Sequence, residues 1–187
     1  MTKQIKRCPW CGEDPLYIAY HDNEWGIQVK DDKTLFEFLV LESAQAGLSW
    51  ITILRRREGY RKVFADFDVV RVAQFNDQDI EKAVQDASII RHRGKIVATV
   101  TNAQLFIAIQ QEFGSFYNYL YQFLPQQKPI VNNLKTLKDA PTTTKESDAL
   151  AKDLKKRGFK FFGSTICYAY MQAVGMVNDH LIDCDFR

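Results

Sequence analysis

Five residues near the two ends of the chain could hold a metal ion. Cys8 and Cys11 form a Cys-x-x-Cys pair with His21 after them, and His180 and Cys184 have the i, i+4 separation that lets two side chains meet one tetrahedral ion. Five candidates compete for four positions. A structural zinc tying the termini together is the expectation; free thiols and an exposed histidine are the alternative. A second centre of chemistry is Glu42, seven residues after Leu35, three after Leu39 and four before Ala46, on the same helical face as those apolar residues. A carboxylate buried there is costly without a charge or hydrogen-bond partner, so it marks either a functional site or a structural ion pair.

Directly after it, Gln45-Ala46-Gly47-Leu48-Ser49-Trp50 reads as a break between two helices. A glycine bend there can present Leu48 as a wedge and Trp50 as a stacking face, or Trp50 can simply be core. Tyr17 and Tyr20, three apart, share a face if their segment is helical. Near the other end, a Gly-flanked turn, Gly158 to Gly163, separates two helical stretches. It places the backbone N–H groups of Ser164 and Thr165 at a positive helix end suited to a phosphate, with Lys160 adding a point charge beside it. The plain reading is an ordinary helical hairpin with Phe159, Phe161 and Phe162 in the core. Basic clusters at Arg55-Arg56-Arg57 with Arg61 and Lys62, at Arg91-His92-Arg93 with Lys95, and along Lys152 to Lys160 are what a surface on a DNA backbone requires; singly, each is a solvated face.

The elements that must position these residues are helical. Apolar residues of one face recur in Leu35-Phe38-Leu39, in Ile80-Val84 and in Ile96-Val100-Ala103-Ile107, while alternating extended segments with hairpin turns are hard to find. Asn76 before Asp79 and Ile80 marks one helix start, and Thr143 three before Glu146 predicts a capping box for a helix through Arg157. Lys155, Lys156 and Arg157 followed by Gly158 suit a helix C-terminus, and the next helix runs from Ser164 to about Gly175. The segment from Pro125 to Thr144 is the one stretch with linker character and could separate two lobes.

At 187 residues, with 46% hydrophobic and 26% charged side chains, the chain can bury a core without staples, and nine Gly with five Pro exclude a low-complexity chain. The longest uninterrupted apolar run, Ile166 to Met171, is far too short to span a bilayer. The basic stretch from Met1 to Arg7 leads into Cys8-Pro9-Trp10-Cys11 and not into an apolar segment, so a cytoplasmic address is expected, with the four cysteines as thiols or metal ligands. Net charge is only +2, so a polyanion must be met by local patches.

Four long motifs, in order, carry a resemblance: Asp14-Pro15-Leu16-Tyr17-Ile18-Ala19-Tyr20-His21-Asp22-Asn23-Glu24-Trp25-Gly26, Gln45-Ala46-Gly47-Leu48-Ser49-Trp50, Ile89-Ile90-Arg91-His92-Arg93-Gly94-Lys95 and Lys155-Lys156-Arg157-Gly158-Phe159-Lys160-Phe161. Nearly the whole chain resembles the bacterial type I 3-methyladenine DNA glycosylases, often called Tag. The resemblance implies an all-α, helix-hairpin-helix glycosylase fold: a single domain over residues 1–187, with a cleft between two helical lobes and a zinc site joining the N- and C-terminal segments. It implies excision of 3-methyladenine from alkylated double-stranded DNA by a monomer, leaving an abasic site. The family's base contact falls on Glu42, its aromatic pocket on Tyr17, Tyr20 and Trp50, and its structural Zn2+ ligands on Cys8, His21, His180 and Cys184. Leu48 and the hairpin residues Gly158, Lys160, Gly163 and Ser164 are the expected DNA contacts. Asp179 lies where related superfamily members carry a catalytic Asp, but its neighbour His180 matches a metal ligand, and Asp179 is not assigned that role. Two other classes compete: a non-catalytic helical DNA-binding module and a zinc-stabilised interaction domain.

Overall fold

The structure, a computed structural model, describes residues 5–187; residues 1–4 of the basic N-terminal stretch lie outside them. The described chain folds into helices α1 (Pro15–Asn23), α2 (Asp32–Gln45), α3 (Trp50–Leu54), α4 (Arg57–Val63), α5 (Val69–Ala73), α6 (Asp77–Gln85), α7 (Arg93–Phe113), α8 (Phe116–Tyr121), α9 (Lys145–Arg157) and α10 (Ser164–Ala173). Two short strands, β1 (Ile130–Val131) and β2 (Val177–Asn178), pair in parallel. None of the described helices is long and apolar enough to cross a membrane.

The centre is α2. Every residue from Leu35 to Ala44 is buried, so beyond its first turn this helix has no solvent face and must be enclosed by neighbours. It packs against α3, α7, α8 and α10, and one contiguous apolar core runs from Tyr20 to Val177. Its start is set by Asp31, whose carboxylate accepts from the Thr34 N–H at 2.8 Å. The predicted cap of α6 is present: Asn76 accepts from Asp79 while the Asp79 carboxylate accepts from the Asn76 N–H.

The cap of α9 differs from the sequence expectation by one residue. Thr144, not Thr143, is the N-cap, and Ser147, not Glu146, returns the bond. A serine hydroxyl fills the role assigned to a glutamate, so the S/T-x-x-E pattern pointed one position early. The C-terminus of α9 is as expected, with Gly158 at φ +104° in the left-handed conformation that glycine adopts without a Cβ penalty.

The segment from Pro125 to Thr144 is not a free linker. It contributes β1, the Ile182 N–H donates to the Leu134 carbonyl, and Leu134 packs in a small second cluster with Cys8, Leu181 and Cys184. Polar composition marked it as linker-like, but its backbone is tied to the C-terminal segment. The α1–α2 connection is held as tightly. Gly175, at φ +68°, passes so close to Ile27 that a Cβ there would lie 2.2 Å from backbone, and the Val29 N–H donates to the Val174 carbonyl at 3.0 Å.

Candidate active site

Glu42 lies at the inner end of a cavity of about 220 Å³ walled by Trp10, Tyr17, Tyr20, Trp25 and Trp50. An apolar cavity of about 150 Å³ takes up benzene, so this one has room for a single bicyclic base. The aromatic walls touch one another: Tyr20 and Trp50 have ring centroids 5.4 Å apart, Trp10 and Tyr17 5.0 Å, Trp10 and Trp25 4.8 Å. Tyr17 and Tyr20 come from one face of α1, as their spacing predicts. Asp14 caps that helix, accepting from the Leu16 N–H.

The two buried carboxylates of α2 show what distinguishes Glu42. Glu37 meets Arg57 at 2.6 Å and Arg61 at 2.9 Å, an ordinary structural ion cluster. Glu42 is 3% exposed, and its Oε2 has no hydrogen-bond partner. The structural ion-pair alternative is therefore removed. Burial without a compensating cation pushes the Glu42 carboxyl up to about 8. Burial therefore favours the neutral acid over the carboxylate at this position. Two indole N–H groups on the same walls, of Trp10 and Trp50, also lack partners. Unpaired buried donors and acceptors are rare in folded chains. Three of them around one cavity of base size indicate a ligand that brings the complementary groups.

A second carboxylate, Asp179, also lines the cavity. It is buried and saturated, accepting from Asn132 Nδ2, Tyr168 Oη and Gln172 Nε2 at 2.6 to 2.7 Å.

Behind the aromatic wall, Cys8, His21 and Cys184 bring their donor atoms within 4.8 Å of one another, all buried. His21 Nδ1 bonds Asp22 at 2.7 Å, and Arg7 binds the same carboxylate, which turns Nε2 toward Cys184 Sγ at 3.6 Å. His180 packs edge-on to His21 with centroids 4.8 Å apart; its Nδ1 is held by Asn178 at 2.9 Å, and its Nε2 is a buried atom without a partner. Burial lowers the His180 pKa to about 4. Cys11 stands outside the cluster, with its Sγ on the Cys8 carbonyl. All four cysteines are buried and free of disulfides.

In the α9–α10 hairpin, Phe159 and Phe162 are buried, but Phe161 is exposed, at φ +56°. This corrects the reading that put all three in the core. Gly163 leads into α10 with open space where a Cβ would stand. The Ser164 hydroxyl is engaged with Asp148 and Ser147 of α9, so a phosphate contact from Ser164 falls to its backbone N–H. The basic clusters are partly spent inside the protein. Arg57 binds Glu24 and Glu37, Arg55 binds Asp14, Arg93 binds Glu81, and Lys95 donates to two carbonyls of the α2 exit. Charge runs in sequence do not report which cations are already paired.

A sequence model of the methyladenine glycosylases matches residues 10–187. The chain belongs to that family. It is 54% identical over 180 residues to DNA-3-methyladenine glycosylase 1 of Escherichia coli K12, covering 96% of each chain. Identity to the DNA-3-methyladenine glycosylase of Haemophilus influenzae is 48%, over 95% of this chain and 96% of the relative. The solved 3-methyladenine DNA glycosylase I of Staphylococcus aureus, described for its recognition of 3-methyladenine, superposes with a TM-score of 0.92 at 39% identity, covering 96% of this chain and 95% of that one.

Glu42, Tyr17, Tyr20 and Trp50 thus meet at one cavity. Leu48 is exposed on the loop beside it, and Cys8, His21 and Cys184 converge with His180 against them. Sequence reasoning missed Trp10, Gln45 and Gln172 as cavity walls; Trp25, which shares the Asp14–Gly26 motif with Tyr17 and Tyr20, lines the cavity with them. Trp10 was within reach: it stands between Cys8 and Cys11, two candidate ligands that anchor it. Gln172 offered no local signal, because its wall position depends on how α10 docks.

Proposed function

We propose that this chain hydrolyses the N-glycosidic bond of 3-methyladenine in alkylated double-stranded DNA, releasing the free base and leaving an abasic site. The observation that carries this is Glu42: a buried carboxyl with an unpartnered oxygen, at the end of an aromatic cavity of base size. Alkylation at N3 puts a positive charge on the purine and makes it a good leaving group. A neutral adenine gives Glu42 no counter-charge, whereas the cationic lesion supplies it and draws the carboxyl toward its ionised form, so damage is selected by charge as well as shape. The exocyclic amino group donates to Glu42, and stacking on the aromatic wall that Trp50 presents adds roughly 1–3 kcal/mol per base. Water attacks the sugar C1′ as the C1′–N9 bond breaks. The bonding pair leaves with N9 and neutralises the purine, the water oxygen becomes the C1′ hydroxyl, and its other proton passes to solvent.

Reaching the base requires extruding it from the stack. In this reading the helix-hairpin-helix element formed by α9 and α10 grips the DNA backbone through the Gly158–Ser164 turn and Lys160, and the unfilled space at Gly163 leaves room for a phosphate to approach. Leu48 enters the duplex as the wedge. No lysine lines the cavity, which favours hydrolysis without a Schiff base or strand cleavage. The whole chain is read as one glycosylase domain, acting as a monomer on DNA in the cytoplasm.

Cys8, His21, His180 and Cys184 are read as the holders of a structural Zn2+. The support is the donor set itself, two thiols and two imidazoles, together with the orphaned His180 Nε2 and the carboxylate that orients His21. Zinc there supplies a cross-link between the chain ends and no reaction chemistry. Chromatography of the bases released from methylated duplex DNA tests the activity. Free 3-methyladenine from the parent chain and none from Glu42→Gln is the expected result; no release from the parent leaves only a DNA-binding module.

A further inference from the structure

Lys95 is placed where its own helix does not favour it. It lies in the first turn of α7, at the positive end of the helix dipole, and burial lowers its pKa. Its Nζ donates to the Ala44 carbonyl at 2.8 Å and to the Ala46 carbonyl at 2.7 Å. Between those two, the Gln45 carbonyl accepts from the Leu48 N–H at 2.6 Å. The carbonyls of Ala44, Gln45 and Ala46 at the exit of α2 are thus engaged, two of them by a side chain from another helix. Gly47, at φ +83°, makes the bend, and residues 47–49 are exposed with Leu48 at the tip. The loop buries nothing of its own, so its direction depends on how its base is held.

The same helix holds the hairpin. Asn102, 1% exposed, donates to the Lys160 carbonyl at 3.0 Å and accepts from the Lys160 N–H at 2.9 Å. His92, at the N-cap of α7, meets the Phe161 ring edge-on with centroids 5.9 Å apart. Both DNA-facing parts of the molecule are therefore fastened to α7, the hairpin through Asn102 and the Leu48 loop through Lys95.

We propose that Lys95 is a positioning residue for base extrusion: it clamps the exit of α2 so that α7 sets the distance between the backbone-gripping hairpin and the Leu48 wedge. This deepens the glycosylase reading and rests on it. The clamp holds the wedge in register with the nucleotide to be turned out while the hairpin engages the strand. Without it the hairpin still docks and the cavity still accepts a base, but the wedge enters out of register.

The test uses the full chain and a duplex carrying an abasic-site analogue beside 2-aminopurine, whose fluorescence rises when its neighbours unstack. Lys95→Met is expected to bind this duplex and free 3-methyladenine as the parent does, yet to lose most of the fluorescence rise. Its single-turnover excision from methylated duplex should fall about tenfold or more, since ångström-scale misplacement costs up to about 10²-fold. Lys95→Arg should regain both. Leu48→Ala should reproduce the defect, and the double variant should be no worse than the weaker of the two singles. Lys95→Gln, which keeps a shorter donor without the charge, takes the same readings should methionine unfold the chain. The proposal is overturned if Lys95→Met keeps the fluorescence rise and the rate, if its free-base affinity falls in step with the rate, or if the two defects multiply in the double variant. A parent chain that raises the fluorescence but releases no base removes the glycosylase reading and leaves the clamp standing.

Discussion

Replacing Glu42 by glutamine should make the protein more stable as the pH rises while it destroys the activity. The wild-type carboxyl is raised by burial from an ordinary glutamate value to about 8. Its contribution to stability is complete below the unfolded value, near 4.5, and drains away as the pH climbs through 8, because the unfolded chain ionises freely and the folded one resists. Linkage over that window, at about 1.4 kcal/mol for each pH unit in which only the unfolded state has released the proton, amounts to about 3 kcal/mol between pH 5 and pH 8. Glutamine has no proton to lose and lacks this slope. In a chain of this size 1 kcal/mol moves Tm by about 2–4 °C, so the Tm of Glu42→Gln minus that of the wild type should grow by roughly 6–12 °C from pH 5 to pH 8. Paired thermal melts across that range, followed by circular dichroism, measure it, and taking the difference cancels the other titrating groups. Parallel melting curves at every pH would refute the argument, since they would mean that the carboxyl is solvated or paired and that the cavity is not the charge-selective slot described.

Trp50→Ala should cut excision of 3-methyladenine by about one to two orders of magnitude, because base stacking on an aromatic ring is worth roughly 1–3 kcal/mol; single-turnover kinetics on methylated duplex read it. The purified protein should carry one zinc per chain by elemental analysis, and Cys184→Ser should lower that occupancy and the Tm together. Equal zinc in wild type and variant would remove the site. Gly175→Ala should fail to give soluble folded protein, since the added Cβ would stand 2.2 Å from the Ile27 backbone at a φ of +68°, a clash with no side chain able to yield. A well-folded alanine variant would show that the α1–α2 connection is not held as tightly as described.

What the sequence made legible followed from local rules. The helical period grouped Glu42 with Leu35 and Leu39, which are buried with it, and glycine with terminal lysines placed the end of α9. The i, i+3 spacing put Tyr17 and Tyr20 on one wall. What it concealed was decided by partners distant in the chain. Arg57 and Lys95 look alike as basic residues, yet one neutralises Glu37 and the other caps a helix. Glu37 and Glu42 are both buried on one helix, and only the arginines that α4 sends to Glu37 show that the first is paired and the second is not. Polar composition made residues 125–144 look like a tether, because parallel pairing with residues 177–178 leaves no periodic mark in two-residue strands.

The base cavity draws its walls from Trp10 near the beginning of the chain to Leu181 near its end. The central helices alone therefore cannot enclose it, because walls about 170 residues apart in the chain must dock before it closes. Detachment of either terminal segment, even with the central helices still folded, would leave the aromatic slot open to water.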